Sequence, residues 1–229
     1  MSIQTELDRI TNEVIAQGNM LDQAINALRD KAAGGGNIDS GILPAGYIPV
    51  PCIKFTGQQA VDTGIICNQD TEIRAVYTVD ADGGMYIYGV TNDAQTASIT
   101  AYRSANGGNW RFGSQRISLT TPVNEVMVWG IQHNKKRILR ANVSSTYSTV
   151  TDFTAETTMV LGGRFYNNAV EEGTMLVGKV IAFDMYDDET LLLSFVPCIN
   201  PEGECGFFDK VSQQFHGSAT DVPLTWSFV

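Results

Sequence analysis

Histidine is scarce in this 229-residue chain, with only His133 and His216 present. A Ser-His-Asp triad would need one of them and a multi-histidine metal centre several, so the composition points away from an enzyme. Charge is thin as well, at 17% of residues. Within it, 15 Lys and Arg face 25 Asp and Glu, for a net charge of −10 and a pI near 4.6. Phosphate backbones and anionic membrane surfaces repel such a chain, so no nucleic-acid partner is expected. Apolar runs of 18 residues are lacking, which predicts no membrane insertion. The opening MSIQTELDRI has no apolar signal core, which predicts no secretory leader. The four cysteines, at 52, 67, 198 and 205, are spaced C-x14-C and C-x6-C. Without a C-x2-C pair a zinc ribbon is disfavoured. In a reducing cytosol four free thiols in or near the core are expected. Cys52 and Cys198 each follow a proline and would become neighbours if the terminal strands pair. GxSxG, HExxH, P-loop and GxGxxG contexts are all missing, and no cofactor or metal is expected.

What is present divides the chain into three. Hydrophobic residues make up 43%, enough at this length to bury a core without staples. Residues 1–33 read as helix. Leu7, Val14, Leu21 and Leu28 recur every seven residues, and Ile3, Ile10, Gln17 and Ala24 precede them by four. This is an a/d heptad seam, with Ile25 on its flank. Leu at a with Ile at d leans away from dimers, toward trimers or tetramers. The expectation is a coiled-coil stalk that assembles a homotrimer, weakest where Gln17 meets Gly18. Residues 34–46 hold five glycines and a proline, and read as a flexible linker.

Residues 47–229 read as all-β. Nineteen of the 21 threonines lie in this part, and threonine favours strands. Strand-like runs such as CIKFT (52–56), TEIRAVYTV (71–79), MYIYGV (85–90), MLVGKVIAFDMY (175–186) and LLLSFV (191–196) alternate with turn clusters such as DADGG, RSANGGN and YNNAVEEG. Many short strands joined this way predict a β-sandwich or jelly roll. In EVMVWGIQ both alternating faces are apolar, so that strand is expected inside a sheet.

Three stretches carry a family resemblance. CIKFTGQQAVDTGIICNQDTEI (52–73) resembles the opening of the concanavalin A-like, or laminin-G-like, jelly rolls found in bacteriophage structural proteins. VWGIQHNKKRILRANV (128–143) is similar to that family's central hairpin. MVLGGR (159–164) with GKVIAFDMYDDETLLLSFVPCINPEGECGFFDKVSQQFHGSA (178–219) resembles its closing pattern. The chain departs from that pattern at Ser194, usually basic, and at Phe208, usually tyrosine. The resemblance implies a jelly-roll head on residues 47–229 of a virion protein assembled in the host cytoplasm. Its N-terminal segment would contact other virion proteins. The function implied is attachment, with the head binding host-surface glycan. A purely structural part (head fibre, capsid decoration or baseplate protein) is the alternative, and a glycan depolymerase a second.

Strand alternation puts Asp184, Tyr186 and Asp188 in one row, the nearest approach to a glycosidase carboxylate pair. The strand also reads as ending in a hairpin turn at Asp187 and Asp188. DADGG (80–84) and YDDE (186–189) could offer calcium oxygens but lack EF-hand spacing, and read as ordinary turns. His133 reads as an exposed turn residue and His216 as a packing or hydrogen-bonding one. For sugar stacking, two loops carry suitable side chains. The loop at 103–111 offers Trp110 with Asn106, Asn109 and Arg111, and the loop at 164–172 offers Tyr166 with Arg164, Asn167 and Asn168. Trp110 beside a glycine-rich tip is less evidently core than Trp129 or Trp226, although burial is the competing reading for it too.

Overall fold

The computed structural model describes residues 43–92, 97–104, 107–119, 123–132, 137–140, 143–146, 152–166 and 169–229. The stalk residues Ile3, Leu7, Ile10, Val14, Gln17, Leu21, Ala24 and Leu28 lie outside them. So do the site candidates Asn106, Asn167 and Asn168, and His133.

Two sheets of eleven and eight strands account for the described secondary structure, and no helix occurs among the described residues. The larger sheet runs in the order Val143–Thr146, Arg137–Arg140, Met127–Gln132, Thr71–Val79, Val177–Asp187, Thr190–Ile199, Cys205–Asp209, Gln214–His216. Cys52–Thr56 pairs with the first half of Val177–Asp187, and Thr190–Ile199 takes over along its second half. The strand Met127–Gln132 is paired on both sides and so lies inside the sheet. The smaller sheet runs Ala169–Val170, Phe165–Tyr166, Met85–Thr91, Ser98–Ser104, Gly107–Phe112, Gln115–Leu119. Thr154–Leu161 joins it, between Val61–Asn68 and Met85–Thr91.

The sheets are held face to face by one apolar core. Phe55, Ile73, Tyr77 and Phe183 enter it from the larger sheet, and Ile87, Tyr88, Ile99, Trp110 and Phe112 from the smaller. Tyr88 and Phe183 touch across the gap, with ring centroids 5.7 Å apart. The protein is therefore a mainly β sandwich. Packing is close enough to dictate backbone: Gly162 has φ +82, and a Cβ there would collide with the Phe55 ring.

Polar contacts lock the edges. The His216 ring nitrogen Nδ1 lies 3.0 Å from the Asp62 carbonyl oxygen, joining the last strand of the larger sheet to the smaller sheet. Its ring packs 5.0 Å from Phe195. The Asp209 carboxylate is buried and accepts the backbone N–H groups of Ser194, Val211 and Ser212, at 2.8, 3.1 and 3.0 Å. Burial pushes that carboxyl upward, but these donated hydrogen bonds outweigh it and hold Asp209 below the ordinary carboxylate range. All four cysteines are free thiols, three buried and Cys205 half-buried. Pro49 pairs with Cys198, whereas Cys52 pairs with Ser227 and donates to its carbonyl at 2.9 Å, so the two cysteines sit on different pairings. Burial pushes the Cys67 and Cys198 thiols up to about 12, which keeps them un-ionised at neutral pH.

Candidate functional site

The stretch 107–112 is a strand, so its side chains alternate in and out. Gly108, Trp110 and Phe112 are buried, while Gly107, Asn109 and Arg111 are half-buried on the opposite face. Trp110 is 0% exposed and belongs to the core. Its indole has no face to offer a sugar, which removes it from the binding candidates. Trp226 is the converse case: the expected core residue is 41% exposed.

With Trp110 turned inward, the outward row of the smaller sheet becomes legible. Tyr86 pairs with Tyr102, Tyr102 with Asn109, and Asn109 with Ser118, so these four share the outer face. Beside them runs a second outward row, in which Gly89 pairs with Thr100, Thr100 with Arg111, and Arg111 with Arg116. A bulge in the Met85–Thr91 strand, at Ile87, sets the first row. It lets Tyr86 face outward while Tyr88, two residues on, faces the core.

Arg164 closes the arrangement. Its stem crosses Gly89, where a Cβ would stand only 3.1 Å from the arginine Cβ and Cγ. Its guanidinium carbon lies 4.4 Å from the Tyr86 ring centroid and 4.8 Å from that of Tyr166. Nε and Nη2 both donate to Oε2 of Glu171, at 2.9 and 2.6 Å. Tyr86 in turn packs against Tyr102 at 4.7 Å. The result is a continuous ladder of planar groups, Tyr102–Tyr86–Arg164–Tyr166, lying along the outer face. Asn109 extends it at the Tyr102 end, accepting Arg116 Nε at 3.0 Å and Ser118 Oγ at 3.2 Å. Burial raises the Tyr86 hydroxyl above its ordinary range, against the pull of the Arg164 and Arg111 cations, so it stays a neutral donor.

The two loops inferred from the sequence thus contribute to one face. Asn109, Arg111, Arg164 and Tyr166 are brought together there, and Trp110 is excluded. Sequence reasoning missed Tyr86, Arg116 and Glu171. Arg116 had a readable signal, because Gly113-Ser114 is a two-residue hairpin loop that closes Phe112 on Gln115 and sets Arg111 opposite Arg116.

The carboxylate row on the larger sheet is differently arranged. Asp184 Oδ1 accepts the Ser194 hydroxyl at 2.7 Å. Asp188 has left the strand, and with Glu189 it forms a two-residue turn at φ 42 and 81. Arg74 stacks over Tyr186 at 4.3 Å, and buried Glu72 lies opposite Tyr186 in the ladder, 4.0 Å from Arg74. Burial raises the Tyr186 hydroxyl, Asp184 adds to the rise, and Arg74 opposes it. In the DADGG turn, Asp80 accepts the Thr78 hydroxyl at 2.7 Å and Asp82 pairs with Arg103 at 2.6 Å. Among the described residues no three His, Cys, Asp or Glu side chains gather as a metal would require.

Fold and site together define a β-sandwich with an aromatic–arginine ladder on one outer face. No protein-family model matches the chain, and no curated protein sequence matches it. Among solved structures it is similar to the native heptameric SAP-like pentraxin from Limulus polyphemus. The identity is 11% and the TM-score 0.37, over 62% of this chain and 76% of that one.

Proposed function

We propose that the chain is a virion attachment protein: a trimeric fibre with a coiled-coil stalk at 1–33, a glycine-rich linker at 34–46 and a concanavalin A-like jelly-roll head at 47–229. The head binds host-surface glycan through the outer face of its smaller sheet. One observation carries the binding assignment: Tyr102 and Tyr166 are half-buried rings at the two ends of a rigid ladder, with Asn109 beside one of them. Rigid aromatic surface beside an amide suits a sugar, whose C–H face packs on the ring while its hydroxyls take hydrogen bonds. The virion setting rests on the sequence resemblance, and the trimer on the heptad seam. Three linked heads would raise a weak single-site affinity by about 10²–10⁴.

Fluorescently labelled full-length chain, incubated with a panel of bacteria, tests this reading. It should stain particular surfaces, and the isolated surface polysaccharide of those cells should compete. Light scattering on the same sample should give about three chain masses. Staining unaffected by the polysaccharide, or no staining across the panel, would transfer the assignment to a structural virion component.

A further inference from the structure

In the hairpin that carries Arg164 and Tyr166, Phe165 pairs with Val170 and Tyr166 with Ala169. The Glu171 N–H donates to the Arg164 carbonyl at 2.9 Å, so Arg164 and Glu171 stand opposite each other one step further on. Alternation puts Arg164, Tyr166, Ala169 and Glu171 on one face of this hairpin. It is the face of the ladder, because the Arg164 guanidinium stacks on both Tyr86 and Tyr166. Tyr166 and Glu171 are diagonal neighbours there, with about 7–8 Å between their backbone positions. Ala169 adjoins both, is exposed, and contributes only a methyl group, which leaves a notch beside the Tyr166 ring. Glu171 is engaged through one oxygen. Nε and Nη2 of Arg164 both donate to Oε2, and among the described residues no donor reaches Oε1. The Glu171 side chain is 31% exposed and that of Arg164 11%, so the acid rather than the base meets solvent.

We propose that Glu171 reads the hydroxyl groups of a neutral sugar: Oε1 accepts hydrogen bonds from two neighbouring hydroxyls of a ring seated over Ala169, with its C–H face on Tyr166. This rests on the attachment reading above and names its ligand class. An ionised carboxylate oxygen has two lone pairs to offer, and hydroxyls that donate to it form charge-assisted bonds stronger than those to a neutral acceptor. Arg164 is a positioning residue. It holds the carboxylate in one orientation before the sugar arrives, which spares the ordering cost at binding. A sugar bearing a carboxylate or phosphate brings a second negative charge against Glu171 and is selected against.

Calorimetric titration of the full chain with dextran, mannan and polygalacturonate tests the proposal. At least one neutral polymer should bind about tenfold or more tightly than polygalacturonate. Cleaving its neighbouring hydroxyls with periodate, followed by borohydride reduction, should abolish that binding. Glu171→Gln keeps an acceptor for Arg164 but loses the charge. It should weaken neutral binding by about tenfold and narrow the discrimination against polygalacturonate. Ala169→Leu, at an exposed strand position, should fill the notch and weaken neutral binding by about tenfold or more, with the melting temperature unchanged. A Glu171 that only braced Arg164 would weaken both polymer classes alike in Glu171→Gln. That result, wild-type binding by either variant, binding that survives periodate, or a wild-type preference for polygalacturonate overturns the hydroxyl-reading role and leaves glycan attachment standing. A wild-type chain that binds none of the polymers overturns both.

Discussion

Each outer face of the sandwich carries an arginine stacked on tyrosine, yet the two clusters differ in charge and closure. On the larger sheet, Arg74 over Tyr186 stands among Glu72 and Asp184, and Ser194 satisfies Asp184. Its acids outnumber its base. On the smaller sheet, Arg164 is matched by one carboxylate, Glu171, and Arg111 and Arg116 are paired across the neighbouring hairpin. The same residue types thus make an acid-rich cluster on one face and an arginine-rich one on the other. Burial differs as well: the Arg164 side chain is 11% exposed and that of Arg74 53%. Arg164 is part of the architecture of its face, whereas Arg74 is draped over its own.

Five substitutions would break or sharpen this contrast. The largest effect belongs to Trp110, which lies beneath the smaller-sheet face with no exposure. Trp110→Ala should cost about 3–5 kcal/mol of stability in denaturant titration. An unchanged transition would mean that the inward and outward rows have been exchanged. Next comes the arginine pair itself. Arg164→Ala loses two hydrogen bonds to a carboxylate and two aromatic contacts and should cost about 1–3 kcal/mol. Arg74→Ala, half exposed, should cost less than about 1 kcal/mol. Equal losses in the melts of the two variants would erase the difference drawn between the faces.

Asp209 tests how the larger sheet holds a buried acid. Asp209→Asn should cost about 1–2 kcal/mol at neutral pH, since the charge that receives three backbone donors is removed. The sign follows from its depressed ionisation. The contribution is complete above the unfolded value of about 3.9 and is lost as pH falls through the lower folded value. The gap between wild type and Asp209→Asn should therefore close in acid unfolding curves at the lowest pH. The smallest effect is a gain. Glu189 occupies a left-handed turn position at φ 81. Glu189→Gly should relieve about 1–2 kcal/mol of backbone strain against about 0.5–1 kcal/mol of added chain entropy, a net rise visible as a slightly higher melting temperature.

Much of the scaffold was readable in the sequence. CIKFT and TEIRAVYTV coincide with the strands Cys52–Thr56 and Thr71–Val79, because each is flanked by clear turn residues. The hairpin turn after Asp187 was legible for the same reason. The Cys205–Asp209 strand was not, since CGFFD offers only a short apolar run. The site was half legible. Asn109, Arg111, Arg164 and Tyr166 were singled out for their chemistry, but glycines on both sides made 103–111 look like a loop. In a loop, neighbouring side chains can share a face; in a strand, Asn109 and Trp110 cannot. Tyr86 was hidden by the bulge, because simple alternation in MYIYGV would have put Tyr86 and Tyr88 on the same side. The contact of Arg164 with Tyr86 joins segments far apart in sequence, and no local pattern encodes it.

Recognition by the smaller-sheet face rather than the larger is open to one direct comparison. Binding of the full chain to the surface polysaccharide of a stained bacterium should be measured for wild type, Tyr102→Ala/Tyr166→Ala and Tyr186→Ala, with melting curves for all three. The smaller-sheet double variant should lose about tenfold or more in affinity, roughly 1.4 kcal/mol, with its fold intact. Tyr186→Ala should bind as wild type does. Unchanged binding by the double variant, or loss of binding in Tyr186→Ala alone, would contradict the assignment of recognition to the Tyr102–Tyr86–Arg164–Tyr166 ladder.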